Sequence, residues 1–251
     1  MRRFQVLLAA LGLGAIWQVL SMIANTPILP PPWQVVEALV LALPHDLGLD
    51  FLASLWRVVA SILLAVATAA PLGVLLGQSR SLSRIVSPMI YLLYPVPKVV
   101  LVPVLLLFFG IGDTAKIAVI FLILFFQIIV LVRDQAAALR PELLLSVRSL
   151  GAGRRALYYF IYFPSSLPAI LTAVRQSSGT AVAVLYVAEL FATRYGLGYY
   201  IFINSSSLFN YPAMYAGILA MSLLGLGLYF GVDWLERRLC PWLPSAQEEN
   251  S

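Results

Sequence analysis

Charged residues are scarce in this chain, and that scarcity fixes its class before any motif is read. Asp, Glu, Lys and Arg make up 11% of the 251 residues, against 61% hydrophobic. Soluble domains carry roughly a quarter charged residues. With a mean hydropathy of +0.93 the chain is a membrane protein by composition. Thiol and metal chemistry are as thinly supplied. One cysteine, Cys240, excludes an intrachain disulfide framework and leaves no zinc-type cluster. One histidine, His45, argues against a His-based metal site or proton relay. No GxxxxGK followed by Ser or Thr occurs, so no P-loop binds ATP here, and any ATP-driven motor is another polypeptide. The net charge of +5 does not indicate nucleic acid, because the basic residues are scattered between apolar runs rather than gathered into a patch.

What the chain does have is length of apolar run. A spanning helix needs on the order of 20 largely apolar residues, since backbone in lipid must satisfy its hydrogen bonds internally. Six stretches qualify: 4–24, 53–77, 85–110, 115–132, 167–191 and 212–234. None alternates strictly, so barrel strands are excluded. The first run follows Arg2 and Arg3 as a signal peptide would, but it is longer than an h-region and lacks a small-x-small cleavage site. It is expected to be a retained span. The segment 33–43 is apolar but half a span long and lies between prolines, which predicts a short interfacial helix.

Threading six spans sorts the charges. Arg2, Arg3, Arg80, Arg84, Arg133, Arg140, Arg148, Arg154, Arg155, Arg237 and Arg238 fall on one side. Lys116 and Arg194 fall on the other, with Glu37, Asp46, Asp50 and Asp113. The positive-inside rule then puts both termini in the cytoplasm. The expected organisation is a single transmembrane domain over 1–240 and a short polar tail over 241–251.

The connection between the fourth and fifth spans, about 140–165, is structured by its own sequence. Pro141 suits a first helical turn and Glu142 the positive end of the dipole. Gly151 follows where a helix stops through a left-handed residue. A second helix is expected from near Gly153 to Phe163, ended by Pro164, with Ser165 or Ser166 capping the fifth span. The product is two short helices at an angle on the cytoplasmic side. Two simpler readings stand beside it: an ordinary basic connection, or an interfacial belt of Tyr158, Tyr159, Phe160, Tyr162 and Phe163.

In spacing this loop resembles the coupling loop of ABC-importer permeases, whose pattern is Glu-Ala-Ala, three residues, Gly, nine residues, Ile, one residue, Leu-Pro. Gly151, Ile161 and Pro164 match, and Leu150-Gly151-Ala152 matches the usual surrounding tripeptide. Leu145, Ser146 and Val147 occupy the Glu-Ala-Ala positions, and Phe163 replaces the leucine. Tyr94-Pro95-Val96-Pro97-Lys98, Phe109-Gly110-Ile111-Gly112-Asp113, Ala188-Glu189-Leu190-Phe191 and Gly196-Leu197-Gly198-Tyr199 are similar, in order and separation, to nitrate/sulfonate/taurine-type permeases.

The resemblance implies an all-α, type I permease fold. It implies that Leu150, Gly151, Ala152, Arg154, Ile161 and Pro164 form the ATPase-coupling surface. Its implied partners are a cytosolic ATPase dimer that holds the ATP and Mg, an external substrate-binding protein (periplasmic or lipoprotein), a second permease copy and membrane lipid, all at the cell inner membrane. No cofactor is expected in this chain, and no metal.

Charges at membrane depth are the candidates for the passage, because such residues usually face a bundle interior or a watery cavity. Lys98, Arg175 and Glu189 lie inside apolar runs, and Tyr94 precedes the Pro-Val-Pro distortion of the third span. Freed carbonyls there are expected partners for Lys98. Glu189 is either a gate residue near the outer end of the fifth span or a hydrated interfacial carboxylate. Arg175 either lines the passage or snorkels to the cytoplasm. Lys98 and Arg175 together would favour anions. Arg57 reads as an interfacial anchor; Pro71, Gly73, Gly77 and Gly179 as close-packing positions; Gly196 and Gly198 as the shapers of an external turn. The competing classes fare worse. An ion-coupled carrier predicts two repeated halves that the sequence lacks. A membrane enzyme predicts a clustered acid, metal or nucleophile constellation.

Overall fold

The computed structural model describes residues 3–139, 141–191 and 193–242, apart from the side chains of 3–7, 141, 143, 144 and 154. Arg2, Arg140 and the polar tail from 243 onward lie outside the described residues. Eleven α-helices occur among the described residues: α1 (Arg3–Ala24), α2 (Pro32–Ala42), α3 (Asp46–Gln78), α4 (Arg80–Leu93), α5 (Val102–Phe109), α6 (Asp113–Ala137), α7 (Pro141–Ser149), α8 (Arg154–Leu157), α9 (Phe163–Leu190), α10 (Leu197–Ser206) and α11 (Tyr211–Leu239). A 3-10 turn, Lys98–Leu101, precedes α5, and a π-helical turn, Tyr158–Tyr162, precedes α9. The residues form two compact units, Met1–Leu55 with Ala192–Leu224, and Trp56–Phe191 with Gly225–Ser251.

In the first unit the short helix α2 forms where expected. Pro32 starts it, Val35 is buried, and Trp33, Val36, Val40 and Leu41 are exposed. Trp17 donates its indole N–H to the Pro30 carbonyl, Ser21 donates to that of Leu29, and the Trp17 and Tyr215 rings sit 5.7 Å apart. The turn before α10 is pinned from α3. Asp50 accepts the Gly196 N–H at 2.6 Å and Ser54 accepts the Leu197 N–H at 2.9 Å. Two of the free donors that every helix start presents are thereby satisfied by buried side chains. Gly196 has φ +128, the conformation expected of it as a turn-former.

In the second unit, four helical stretches are long and apolar enough to cross a membrane: Asp46–Gln78, Asp113–Ala137, Arg155–Leu190 and Tyr211–Leu239. They correspond to the expected second, fourth, fifth and sixth spans, the first and last of them running on into the first unit. The expected third span, 85–110, is not one helix. It is α4 followed by the 3-10 turn and α5, bent by 79°. Pro95 and Pro97 remove two backbone donors and their rings crowd the carbonyls of the preceding turn, so a straight helix cannot pass through them. The expected first span is α1, whose fully described part, Leu8–Ala24, is shorter than the other four.

Contacts between α3 and α6 decide how the bent pair runs. Arg57 meets Asp113, and Ser61 donates to the Ile117 carbonyl. Further along, Gly73 faces Val132 and Gly77 faces Ala136. Residue numbers rise together, so the two helices are parallel. A chain leaving the far end of α3 must therefore return through the full thickness before α6 begins, and α4 with α5 is that return. A re-entrant loop would have left α6 antiparallel. The bent pair is a broken crossing.

Helices α3 and α6 approach closely because Gly73 and Gly77 have no side chains. A Cβ on Gly73 would lie 2.9 Å from the Val132 Cβ, and one on Gly77 would lie 2.8 Å from the Arg133 carbonyl oxygen. The expected packing role holds for both. It fails for Gly179, which is exposed and has no atom within 4 Å of where a Cβ would sit. That glycine faces away from the neighbouring helices of its own chain.

Candidate functional site

The elbow between α6 and α9 is built from its helix stop. Glu142 stands in the first turn of α7 and Arg148 in the last, each at the pole of the helix dipole that favours its charge. Gly151 has φ +84. Its N–H bonds to the Arg148 carbonyl at 3.0 Å, and the Ala152 N–H reaches back to the Val147 carbonyl at 3.4 Å. These paired bonds make a Schellman motif, in which a left-handed residue lets the last carbonyls find donors. The turn leaves Leu150 85% exposed at the tip, with Gly151 and Gly153 exposed beside it. An isoleucine-sized apolar side chain held out on a rigid turn is suited to packing against a partner surface. The Arg154 side chain lies outside the described residues.

Beyond the hinge the expectation is overturned at Pro164, which does not end a helix. Residues Arg155–Leu190 form one continuous 36-residue rod. The π turn at Tyr158–Tyr162 makes this possible: the Phe163 N–H bonds to the Tyr158 carbonyl five residues back. Widening the turn absorbs the proline, whose ring would clash with the preceding turn of a regular α-helix and whose nitrogen donates nothing. Ile161 and Pro164 are half-buried on this rod, Leu157 and Tyr162 are buried, and Tyr159 and Phe160 are exposed. Thus the second coupling helix and the fifth span are a single body.

At the opposite end of the same rod sits a buried ion cluster. Arg57 donates through Nη1 to Glu189 at 2.5 Å and through Nε to Asp113 at 2.8 Å. Arg57 and Glu189 are both fully buried, and Asp113 is part-exposed. Lys116, also buried, donates to the Gly112 carbonyl at 3.2 Å. Two cations and two carboxylates balance, which is how charges persist at membrane depth. The expected anchor role of Arg57 is therefore corrected. Its helix begins at Asp46 rather than 53, which places Arg57 about three turns inside it. Sequence reading also left Asp113 as an ordinary outer charge. The usable signal was an arginine deep within a long helix, which needs carboxylates from elsewhere. The hydrated-interface alternative for Glu189 is likewise excluded by its burial.

The other expected residues go to separate places. Lys98 donates to the carbonyls of Leu93, Tyr94 and Val96, at 3.0, 2.8 and 3.1 Å. These carbonyls lie at the Pro95–Pro97 break, where that of Leu93 also accepts the Val96 N–H at 3.3 Å, and the ammonium lies 4.6 Å from the Phe126 ring centre. Tyr94, 46% exposed, is beside it. Arg175 pairs with Asp233 at 3.2 Å and Glu236 at 2.7 Å on α11. Lys98, Arg175 and Glu189 thus each take different partners rather than forming one cluster. Cys240 is buried, and its thiol is pushed up by burial and by the nearby Glu236 carboxylate, which keeps it protonated and inert.

A family model described as "Binding-protein-dependent transport system inner membrane component" matches residues 69–240, more than half of the chain and including the elbow. The chain belongs to that family. The taurine transport system permease protein TauC of Escherichia coli is 32% identical over 233 residues, covering 90% of this chain and 84% of that one. The formylaminopyrimidine transport permease protein ThiX of Halalkalibacterium halodurans is 30% identical, covering 92% and 93%. Among solved structures, a chain of the MetNI methionine ABC transporter in an inward-facing conformation superposes with a TM-score of 0.65 at 19% identity, over 77% of this chain and 96% of that one. The permease therefore has the type I fold and is a subunit of an ABC importer, and its long apolar helices and its family together imply a multi-pass protein of the inner membrane. Membership implies an ATPase and a substrate-binding protein as partners.

Proposed function

We propose that this permease carries a small anionic solute of the sulfonate or nitrate type inward, pairing with a second copy of itself around a central passage. ATP and Mg are held by a cytosolic ATPase dimer docked at the elbows, and an external binding protein delivers the solute. Both termini face the cytoplasm, with the arginine-rich helix ends. The chain performs no catalysis. ATP closes the motor, the elbows move together, and the spans rock to an outward-open state, which hydrolysis reverses. The free energy for switching comes from the differential affinities of the ATPase and the binding protein for the two states.

One observation carries this reading: the glycine-hinged elbow presents Leu150 to solvent and continues without a break into the fifth span. For the solute, the support is the likeness to TauC and the setting of Lys98, whose described partners are carbonyls and aromatic rings rather than carboxylates. Arg175, facing two carboxylates, is better placed as a tie between α9 and α11. The test is site-specific crosslinking from Ala152→Cys in the assembled transporter. Cys240, being buried, leaves little background. Crosslinks to the ATPase subunit support the proposal, and their absence in a complex that still hydrolyses ATP sinks it. Stimulation of the reconstituted ATPase by taurine-like sulfonates, against neutral solutes, tests the substrate class.

A further inference from the structure

A second polar feature lies at the arginine-rich end of the α3–α6 pair, built from residues of neither the elbow tip nor the buried ion cluster. Arg80, Ser83, Arg84, Ser87 and Tyr91 recur at helical spacing, so they form one polar stripe along α4. That stripe faces an open cavity of about 590 Å³, also lined by Leu76, Gly77, Arg133, Asp134 and Ala137. Arg133, nearly fully buried, is held rigidly: it donates to Ser87 Oγ at 3.1 Å and to the Tyr91 hydroxyl at 2.8 Å, and it pairs with Asp134 at 2.7 Å. Ser83 and Ser87 hydroxyls share a hydrogen bond at 3.0 Å. Asp134 offsets Arg133. Among the described residues, Arg80 and Arg84 have no acidic partner, so the cavity keeps an excess of two positive charges beside three hydroxyls.

Such a lining selects a phosphate-like oxyanion, because guanidinium groups and hydroxyls together match its several acceptor oxygens. The remaining positions of α4 say which kind. Leu82, Ile85, Met89 and Leu92 are exposed, so the helix shows an apolar flank directly beside the charged stripe. Acyl chains can lie along that flank while the charged group enters the cavity, and the cavity has the size of a small-molecule site rather than that of one inorganic ion. Basic pockets between membrane helices hold lipid head groups by this means.

We propose that the α4 cavity binds the phosphodiester head group of an anionic phospholipid, with Arg80 and Arg84 as its principal ligands. The experiment uses the full chain in a neutral detergent, with short-chain phosphatidylglycerol, phosphatidylcholine of equal chain length and inorganic phosphate as probes, read by native mass spectrometry. Saturable phosphatidylglycerol binding is expected. The doubly substituted Arg80→Gln/Arg84→Gln chain should bind it about thirtyfold more weakly, since each arginine near an anionic lipid is worth about a fivefold change. Both residues are exposed, so the variant should fold. Arg237→Gln/Arg238→Gln, which removes the same charge elsewhere, should bind as the unsubstituted chain does. The proposal is overturned if the Arg80/Arg84 variant keeps full affinity, if the Arg237/Arg238 variant loses as much, or if phosphatidylcholine binds equally. Inorganic phosphate displacing the lipid at matched concentration would make the ligand a free ion and overturn it too.

Discussion

Arg57 and Glu189 are 132 residues apart in the chain, yet their side chains meet at 2.5 Å and neither is exposed to solvent. A buried pair of this kind fixes which helices are neighbours without adding much net stability, because desolvation consumes most of the attraction. Removing one partner is a different matter, since the survivor is left as an uncompensated buried charge.

Arg57→Met alone should therefore destabilise the permease by about 3–5 kcal/mol. The double change Arg57→Met/Glu189→Leu should recover most of that loss. Thermal unfolding of the detergent-solubilised protein checks both. A double variant no better than the single one would show that the cluster is not held as an ion pair.

Gly151 has the left-handed φ of +84 that closes the Schellman turn. Replacing it with valine should strain the hinge by about 1–2 kcal/mol and tilt α8 away from its docked direction. Asparagine, which tolerates this conformation better, should be milder. Substrate-stimulated ATP hydrolysis should fall for Gly151→Val while membrane insertion remains normal, and equal activity of both variants would deny the turn its role.

Gly77 and Gly179 make a matched pair. A side chain at Gly77 would press on the Arg133 carbonyl, whereas Gly179 has nothing within 4 Å. Gly77→Leu should cost about 1–3 kcal/mol through overpacking of α3 against α6. Gly179→Ala should raise the stability of the isolated chain slightly, by up to about 1 kcal/mol, because alanine is the better helix former and nothing crowds it. No loss at Gly77 would mean that α3 and α6 are not in close contact.

Lys98→Gln should slow uptake of an anionic solute in reconstituted vesicles without lowering thermal stability by more than about 1–2 kcal/mol, because its partners are neutral carbonyls that the amide can still engage. Unchanged uptake would remove Lys98 from the passage.

How much of this was legible in the sequence depends on how local the cause is. The stop at Gly151, the start at Pro141 and the break at Pro95–Pro97 each follow from one or two residues whose backbones are unusually free or unusually restricted, and each stands where the sequence puts it. The close approach at Gly73 and Gly77 was legible for the same reason. Arg57 was misread because its meaning depends on Glu189 and Asp113, which no local pattern reveals. Pro164 was misread because a proline rule assumes a regular α-helix ahead of it. The π turn at Tyr158–Tyr162 changes that premise. Arg80 and Arg84 were legible only as topological markers, since the cavity they face is made by α3 and α6.

The rod of 36 residues has one more consequence. At 1.5 Å per residue it reaches about 54 Å, more than the whole bilayer with its head groups. It begins next to the hinge and ends with Glu189 fastened to Arg57 and Asp113. A helix clasped at one tip and pushed at the other swings the clasp, pries it open or flexes at its wide turn Tyr158–Tyr162 and at Pro168. The far fastening is joined to the near face by one unbroken helix, and its strength sets how much of the near face's travel reaches the outer side before it gives way.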